Sequence, residues 1–246
     1  MLYYRKLPIH LMKSFFCEII NSLLDTIFPR YCPGCYKRLY LNEKYLCLYC
    51  KSQLPKTNYH INKNNPLLDL FIQHHNIQQV SAFLFFQSNS IVQNIIHNIK
   101  YKDMHFVAQY LARMYASDII NSNYSYKNID IIVPIPLHKK KLKQRGYNQS
   151  YYIALGISEI LNIPIEENII TRIKNTESQT NKNIEQRIKN MEKAFALNEN
   201  AINYIQNKHI LIIDDVITTG STINSIIQIL PPTTKISVMA LAYAIN

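Results

Sequence analysis

Residues 210–222, ILIIDDVITTGST, constrain this chain more than any other stretch. Ile210, Leu211, Ile212 and Ile213 form a continuous apolar run that reads as a buried strand. Two carboxylates, Asp214 and Asp215, stand at its exit. Thr218, Thr219, Gly220, Ser221 and Thr222 come next, directly before an apolar-periodic helix. Gly220 permits a tight turn, and hydroxyls with free amides at a helix N-terminus cradle a phosphate. The carboxylates can accept hydrogen bonds from vicinal hydroxyls, such as a ribose presents. They would repel a phosphate unless a hydroxylated sugar or a cation lay between, and a sugar phosphate with a divalent metal meets that demand. The bland alternative is a capped strand-to-helix turn with solvated aspartates.

The surrounding pattern is α/β. A strand is expected at 80–87, a helix carrying Ile91, Ile95, Ile96 and Ile99, and a second helix over 106–120. A short apolar strand at 129–134 leads into a basic loop and a helix over 148–161. Further strands are expected at 169–173, 209–213 and 236–243, with a helix over 221–230. Strands alternating with helices imply a mostly parallel sheet with helices on its faces, and ligands in such sheets sit at the carboxyl ends of the strands.

The first 78 residues differ. Phe15, Phe16, Ile19, Ile20, Leu23, Leu24, Ile27 and Phe28 recur every four residues as an amphipathic helix ended by Pro29. Cys32-x-x-Cys35 and Cys47-x-x-Cys50 are two knuckles able to supply four thiolates to tetrahedral Zn²⁺, a closed structural site. A redox pair or disulfides are the alternatives, and Cys17 reads as a packing residue. The expected organisation is therefore a helix at 1–30, a zinc lobe at 31–60, a linker at 61–78 and the α/β domain at 79–246. No apolar run approaches the roughly 20 residues of a membrane span, and His10 and Lys13 interrupt any apolar signal segment, so the sequence reads as cytoplasmic. The net charge of +11 suggests an anionic partner, although Asn, Lys, Ile and Tyr are over-used throughout.

Several middle segments are bland singly and informative in order. Residues 133–137, VPIPL, precede His138 and the lysines Lys139, Lys140, Lys141 and Lys143. Then come Arg145, Gly146, Tyr147, Asn148 and Gln149, and later Arg172, Thr176, Gln179, Arg187 and Asn190. The ILIIDDVITTGST segment resembles the 5-phosphoribosyl diphosphate (PRPP) binding motif of type I phosphoribosyltransferases. The whole ordered set, behind a four-cysteine knuckle, resembles the ComF family of competence-associated proteins over nearly the entire chain.

That resemblance implies a type I phosphoribosyltransferase-like fold with a small N-terminal zinc lobe. It implies that Asp214 and Asp215 hold ribose hydroxyls, that Thr218, Thr219, Gly220, Ser221 and Thr222 hold the 5-phosphate, and that Mg²⁺ arrives with the diphosphate. Pro136, His138, Arg145, Gly146, Asn148 and Gln149 would border the pyrophosphate. Gly146 would let the backbone approach it. Arg172, Gln179 and Arg187 would lie on the mobile loop that covers PRPP, and Lys100-Tyr101 also matches. Asp103, Lys182 and residues 231–234, PPTT, depart from the family pattern. The implied function is a PRPP-binding, Mg²⁺-dependent protein of DNA uptake with an unknown acceptor. The alternative is a non-catalytic ligand sensor or adaptor that binds single-stranded DNA through the basic loop and a competence helicase.

Overall fold

The computed structural model describes residues 26–62, 65–122, 126, 128–174 and 194–245. Two compact units divide the chain, 1–53 and 54–246. Residues 1–25, with most of the expected amphipathic helix and Cys17, lie outside the described residues.

The first unit is built around its cysteines. A bridge between Tyr31 and Arg38 closes the first knuckle, where the Tyr36 amide donates to the Cys32 carbonyl at 2.8 Å. Tyr36 takes a positive φ of 59° to complete that turn. Cys47 then caps a short helix, α1 (Leu48–Ser52). The buried Glu43 carboxylate joins the two halves, accepting from the Tyr40 amide at 2.9 Å and the Leu48 amide at 2.6 Å.

The second unit has a four-stranded parallel sheet. In chain order its elements are α2 (Pro66–Asp69), β1 (Ile77–Phe86), α3 (Ile91–Tyr101), α4 (His105–Asn121), β2 (Ile131–Pro134), α5 (Lys139–Arg145) and α6 (Gln149–Leu161). They continue with β3 (Ile170–Arg172), β4 (Phe195–Leu197), α7 (Ala201–Ile205), β5 (His209–Ile217), α8 (Ser221–Ile227) and β6 (Lys235–Ala244). The sheet order is β1-β6-β5-β2, and β3 pairs with β4 as a separate antiparallel ribbon. The strands of the main sheet are mostly apolar on both faces because both are covered. One face, with Val80, Ala82, Ile131, Val133, Ile210, Ile212, Val238 and Ala240, packs on the ribbon, α2, α7 and α8. Against the other lie α4 beside β6, and α6 beside β2 and β5. Among the described residues no helix is long and apolar enough to cross a membrane.

Two expectations change here. The stretch 54–78 is woven into the second unit: Lys56 bridges to Leu84, the Asn65 carboxamide donates to the Val80 carbonyl at 2.9 Å, and Leu67 and Phe71 are buried in the core. The unit boundary accordingly falls near Gln53. The basic segment after β2 is a helix, α5, where a loop was expected. His138 caps it by accepting from the Lys140 amide, and Gly146 ends it in the left-handed region at φ 83°. Lysines without apolar periodicity hid a helix that its two ends define.

Helices α4 and α6 cross at Gly156. A β-carbon there would stand 2.3 Å from the Gln109 carbonyl oxygen and 2.8 Å from the Ala112 β-carbon. Backbone on the facing helix cannot yield easily, so the helices would have to separate. Gly156→Ala is expected to lower stability by about 1–3 kcal/mol, read as a drop in the thermal midpoint; an unchanged midpoint would show the crossing to be loose.

Candidate functional site

The site forms where two neighbouring strands end at different heights. Strand β2 pairs with β5 only as far as Pro134 opposite Ile213, with one more bond from the Ile135 amide to the Ile213 carbonyl at 2.9 Å. On its other side β5 keeps pairing with β6, Asp214 opposite Ala240 and Ile217 opposite Tyr243. The strand therefore runs past the acidic pair, four residues beyond its expected end, because β6 is long enough to hold it. Asp214 and Asp215 sit on the stretch of β5 that has lost its β2 neighbour, level with Pro136.

Asp215 is buried and already engaged. Lys100 Nζ lies 2.9 Å from its Oδ2, and Gln149 Nε2 donates to the same oxygen at 2.7 Å. Burial acts to raise its pKa, but Lys100, Gln149 and Arg145 outweigh burial and hold it below the ordinary carboxylate value. Asp214 accepts from the Asp215 amide at 2.8 Å. Burial, reinforced by the Asp215 charge, pushes Asp214 up to about 7 against the pull of that amide, Lys100 and Arg172. Two adjacent carboxyls thus differ in proton affinity because only one has a lysine in contact.

Four cations converge on this pair. Lys100 is positioned by the end of α3, beside the Ile99 carbonyl that receives the Tyr147 hydroxyl. Arg145 ends α5 with its guanidinium over the Tyr101 ring, 5.4 Å from the centroid, and its buried Nη1 has no hydrogen-bond partner among the described residues. Arg172 ends β3, stacked on Phe195 of β4 at 5.2 Å, within range of both aspartates. Lys141 turns inward from α5 while Lys139, Lys140 and Lys143 stay exposed. Burial, and then the charges of Arg172, Arg145 and Lys100, bring the Lys141 pKa down to about 8, with Asp215 opposing.

The remaining expected residues divide by role. Asn148 caps α6, accepting from the Ser150 amide at 3.2 Å, and its Nδ2 donates to the Ile135 carbonyl at 3.1 Å. That fixes the helix start at which Gln149 meets Asp215. Gln149 Oε1 is buried without a hydrogen-bond partner among the described residues. His138 serves as the α5 cap. Gly146 faces open space where a β-carbon would be, and its positive φ as a helix stop already calls for a glycine. Gln179 and Arg187, with Thr176 and Lys182, lie outside the described residues.

After β5, residues 218–220 turn into α8, which has no side-chain cap at Gly220. The first amides of α8 are consequently open to an external acceptor. Thr219 Oγ1 donates to Ser221 Oγ at 3.2 Å. Gly220 sits at φ 71° against Phe71, whose ring carbon would be 2.9 Å from a β-carbon. His74 Nε2 meets Asn224 Oδ1 at 2.8 Å behind the same turn.

In the first unit the four cysteines are free thiols, and their sulfurs all lie within 4.8 Å of one another. Cys35 Sγ is 3.7 Å from Cys47 Sγ, close to the about 3.8 Å edge of a tetrahedron with Zn–S of about 2.3 Å. Backbone amides point at the sulfurs, Cys47 N to Cys32 Sγ at 3.5 Å and Cys50 N to Cys47 Sγ at 3.4 Å. This cluster could hold a metal ion.

Residues 147–233, which carry Gln149, the acidic pair and the turn, match the phosphoribosyl transferase domain family. Competence protein F of Haemophilus influenzae is 29% identical over 207 residues, 81% of this chain and 83% of that protein. Together these matches support a ComF-like protein with a phosphoribosyl transferase domain. The DNA utilization protein YhgH of Escherichia coli K12 is 30% identical over 138 residues, 55% of this chain, and the match spans little more than half of YhgH at 59%. Among solved structures, the glutamine PRPP amidotransferase of B. subtilis complexed with ADP and GMP is 17% identical, with a TM-score of 0.37. That likeness covers 56% of this chain and 26% of the amidotransferase.

Lys141 was expected on a basic loop with Lys139 and Lys140, and its place beside the acidic pair is a tertiary fact that the lysine run does not signal. The raised pKa of Asp214 has a consequence for stability. In the unfolded chain the group ionises near 3.8, whereas in the fold it keeps its proton to about 7. The native state binds more protons across that window, so the contribution of Asp214 worsens as pH rises through it and is fully unfavourable above 7. Asp214→Asn should therefore raise the thermal midpoint most at pH 8 and little near pH 4. A benefit independent of pH would contradict the assignment.

Proposed function

We propose that the chain binds a ribose phosphate, PRPP in the first instance, at the β5 edge, in the service of DNA uptake. One observation carries the reading: a carboxyl pair, an uncapped turn and four cations share the strand ends of a parallel sheet, where such sheets take ligands. The turn at Thr218, Thr219, Gly220, Ser221 and Thr222 offers hydroxyls and amides to the 5-phosphate. Asp214 and Gln149 Oε1 offer acceptors to ribose hydroxyls, and the cations face the diphosphate. Mg²⁺ supplies charge neutralisation to a diphosphate when bound, preferring phosphate oxygens and water to an all-protein cage.

If the ligand reacts, an incoming nucleophile forms a bond to ribose C1 as the C1–O bond breaks and diphosphate leaves with the electron pair. The residues here would orient C1 and stabilise the departing charge, which requires no protein nucleophile. Zn²⁺ in the cysteine lobe, bound by Cys32, Cys35, Cys47 and Cys50, would hold structure, since four protein ligands leave no open position. The process, competence, is suggested by the names of the relatives.

The first test is thermal. PRPP with Mg²⁺, at about a hundredfold above its Kd, should stabilise the fold by about 2.7 kcal/mol, and Asp214→Asn should abolish the shift. No shift from PRPP in the unaltered chain would sink the reading.

A second reading, an adaptor that contacts single-stranded DNA and a helicase, is favoured by the exposed lysines of α5. Loss of Lys139 and Lys140 should then flatten the log–log salt dependence of single-strand affinity by about 1.4. Binding that ignores salt would exclude the helix as the contact.

A further inference from the structure

Among the described residues, the cations around the acidic pair outnumber the carboxyls they face. Lys100, Lys141, Arg145 and Arg172 act on one another and on Asp214 and Asp215, two carboxyls of which the first holds its proton up to about pH 7. Lys100, Lys141 and Arg145 alone leave at least one positive charge over among the described residues, in a half-buried cluster, and like charges so placed repel unless an anion joins them. The contacts point the same way. Lys100 is held to Asp215, Arg145 presents a buried Nη1 with no hydrogen-bond partner among the described residues, and Lys141 is turned in from a helix whose other lysines face water.

A divalent cation would normally be held beside a diphosphate by one or two carboxylates and the phosphate oxygens. Here Asp215 Oδ2 is shared by Lys100 and Gln149, Asp214 keeps its proton to about pH 7, and the neighbouring cations repel a further one. A diphosphate carries several negative charges on oxygens that match guanidinium and ammonium donors. We propose that Lys100, Lys141, Arg145 and Arg172 neutralise the diphosphate end of the ligand themselves, so that the chain captures diphosphate without a divalent cation. This rests on the ribose-phosphate reading of the same edge and specifies how its anionic end is held.

The experiment is calorimetric titration of inorganic diphosphate into the full chain, in buffer freed of Mg²⁺ on a chelating resin and again with Mg²⁺ restored. The metal content of the protein is checked in both. Affinity without Mg²⁺ should equal or exceed that with it, because the metal masks the charges the protein recognises. Lys141→Met removes one charged contact and should weaken binding about tenfold or more. Lys141→Arg should retain binding, and Lys143→Met, exposed on the same helix, should leave it unchanged.

Diphosphate bound only in the presence of Mg²⁺ would overturn the inference and leave PRPP binding standing. Failure of diphosphate to bind in either buffer, with the PRPP shift intact, would overturn it too. Failure of both diphosphate and PRPP would remove the ribose-phosphate reading and this inference together.

Discussion

The unequal ends of β2 and β5 are the constraint on which the site depends. Parallel strands bury their polar backbone against neighbours, so a strand that outruns one neighbour exposes an edge. Here β6 carries β5 beyond Ile213 while β2 stops at Pro134. The opening this leaves is where Asp214 and Asp215 stand. Helix α6 closes it from the side with Gln149, and α5 closes it with Lys141 and Arg145. Had β2 continued alongside, its backbone would have paired with β5 and its side chains would have crowded the space that the carboxyls now border.

The side chains around that opening are arranged by secondary structure ends more than by elements themselves. Lys100 lies in the last turn of α3, Arg145 closes α5, Gln149 opens α6 and Arg172 closes β3. Helix ends leave backbone groups that need partners, and the caps His138 and Asn148 satisfy them while fixing the direction of the neighbouring charged residue. Positional precision therefore comes from local capping, and the charge balance comes from several distant pieces of chain meeting.

How far the sequence revealed this follows the same division. The sheet was legible because apolar runs such as Ile210, Leu211, Ile212 and Ile213 admit little else, and α3, α4, α6 and α8 followed from their apolar spacing. The end of β5 was misjudged because Asp214 and Asp215 are poor strand formers, and only pairing with β6 keeps them extended. Helix α5 was missed since like charges in a row carry no periodic signal. The inward turn of Lys141 and the anchoring of Leu67 and Phe71 are tertiary facts, set by what packs opposite. Gly146 stood out through its rarity in a chain with four glycines, and the structure adds a second reason for it, the left-handed backbone that ends α5.

The bracing of the turn after β5 has a consequence for how the molecule is assembled. Phe71 lies against Gly220, and His74 meets Asn224 across 150 residues of sequence. Contacts so remote close a large loop and form late, after local helices are in place. During synthesis the segment around Phe71 leaves the ribosome long before its partner exists. The turn after β5 thus gains its final shape only when the ends of the unit meet, so any ligand it takes would find it only in the finished fold and not in nascent or truncated chains.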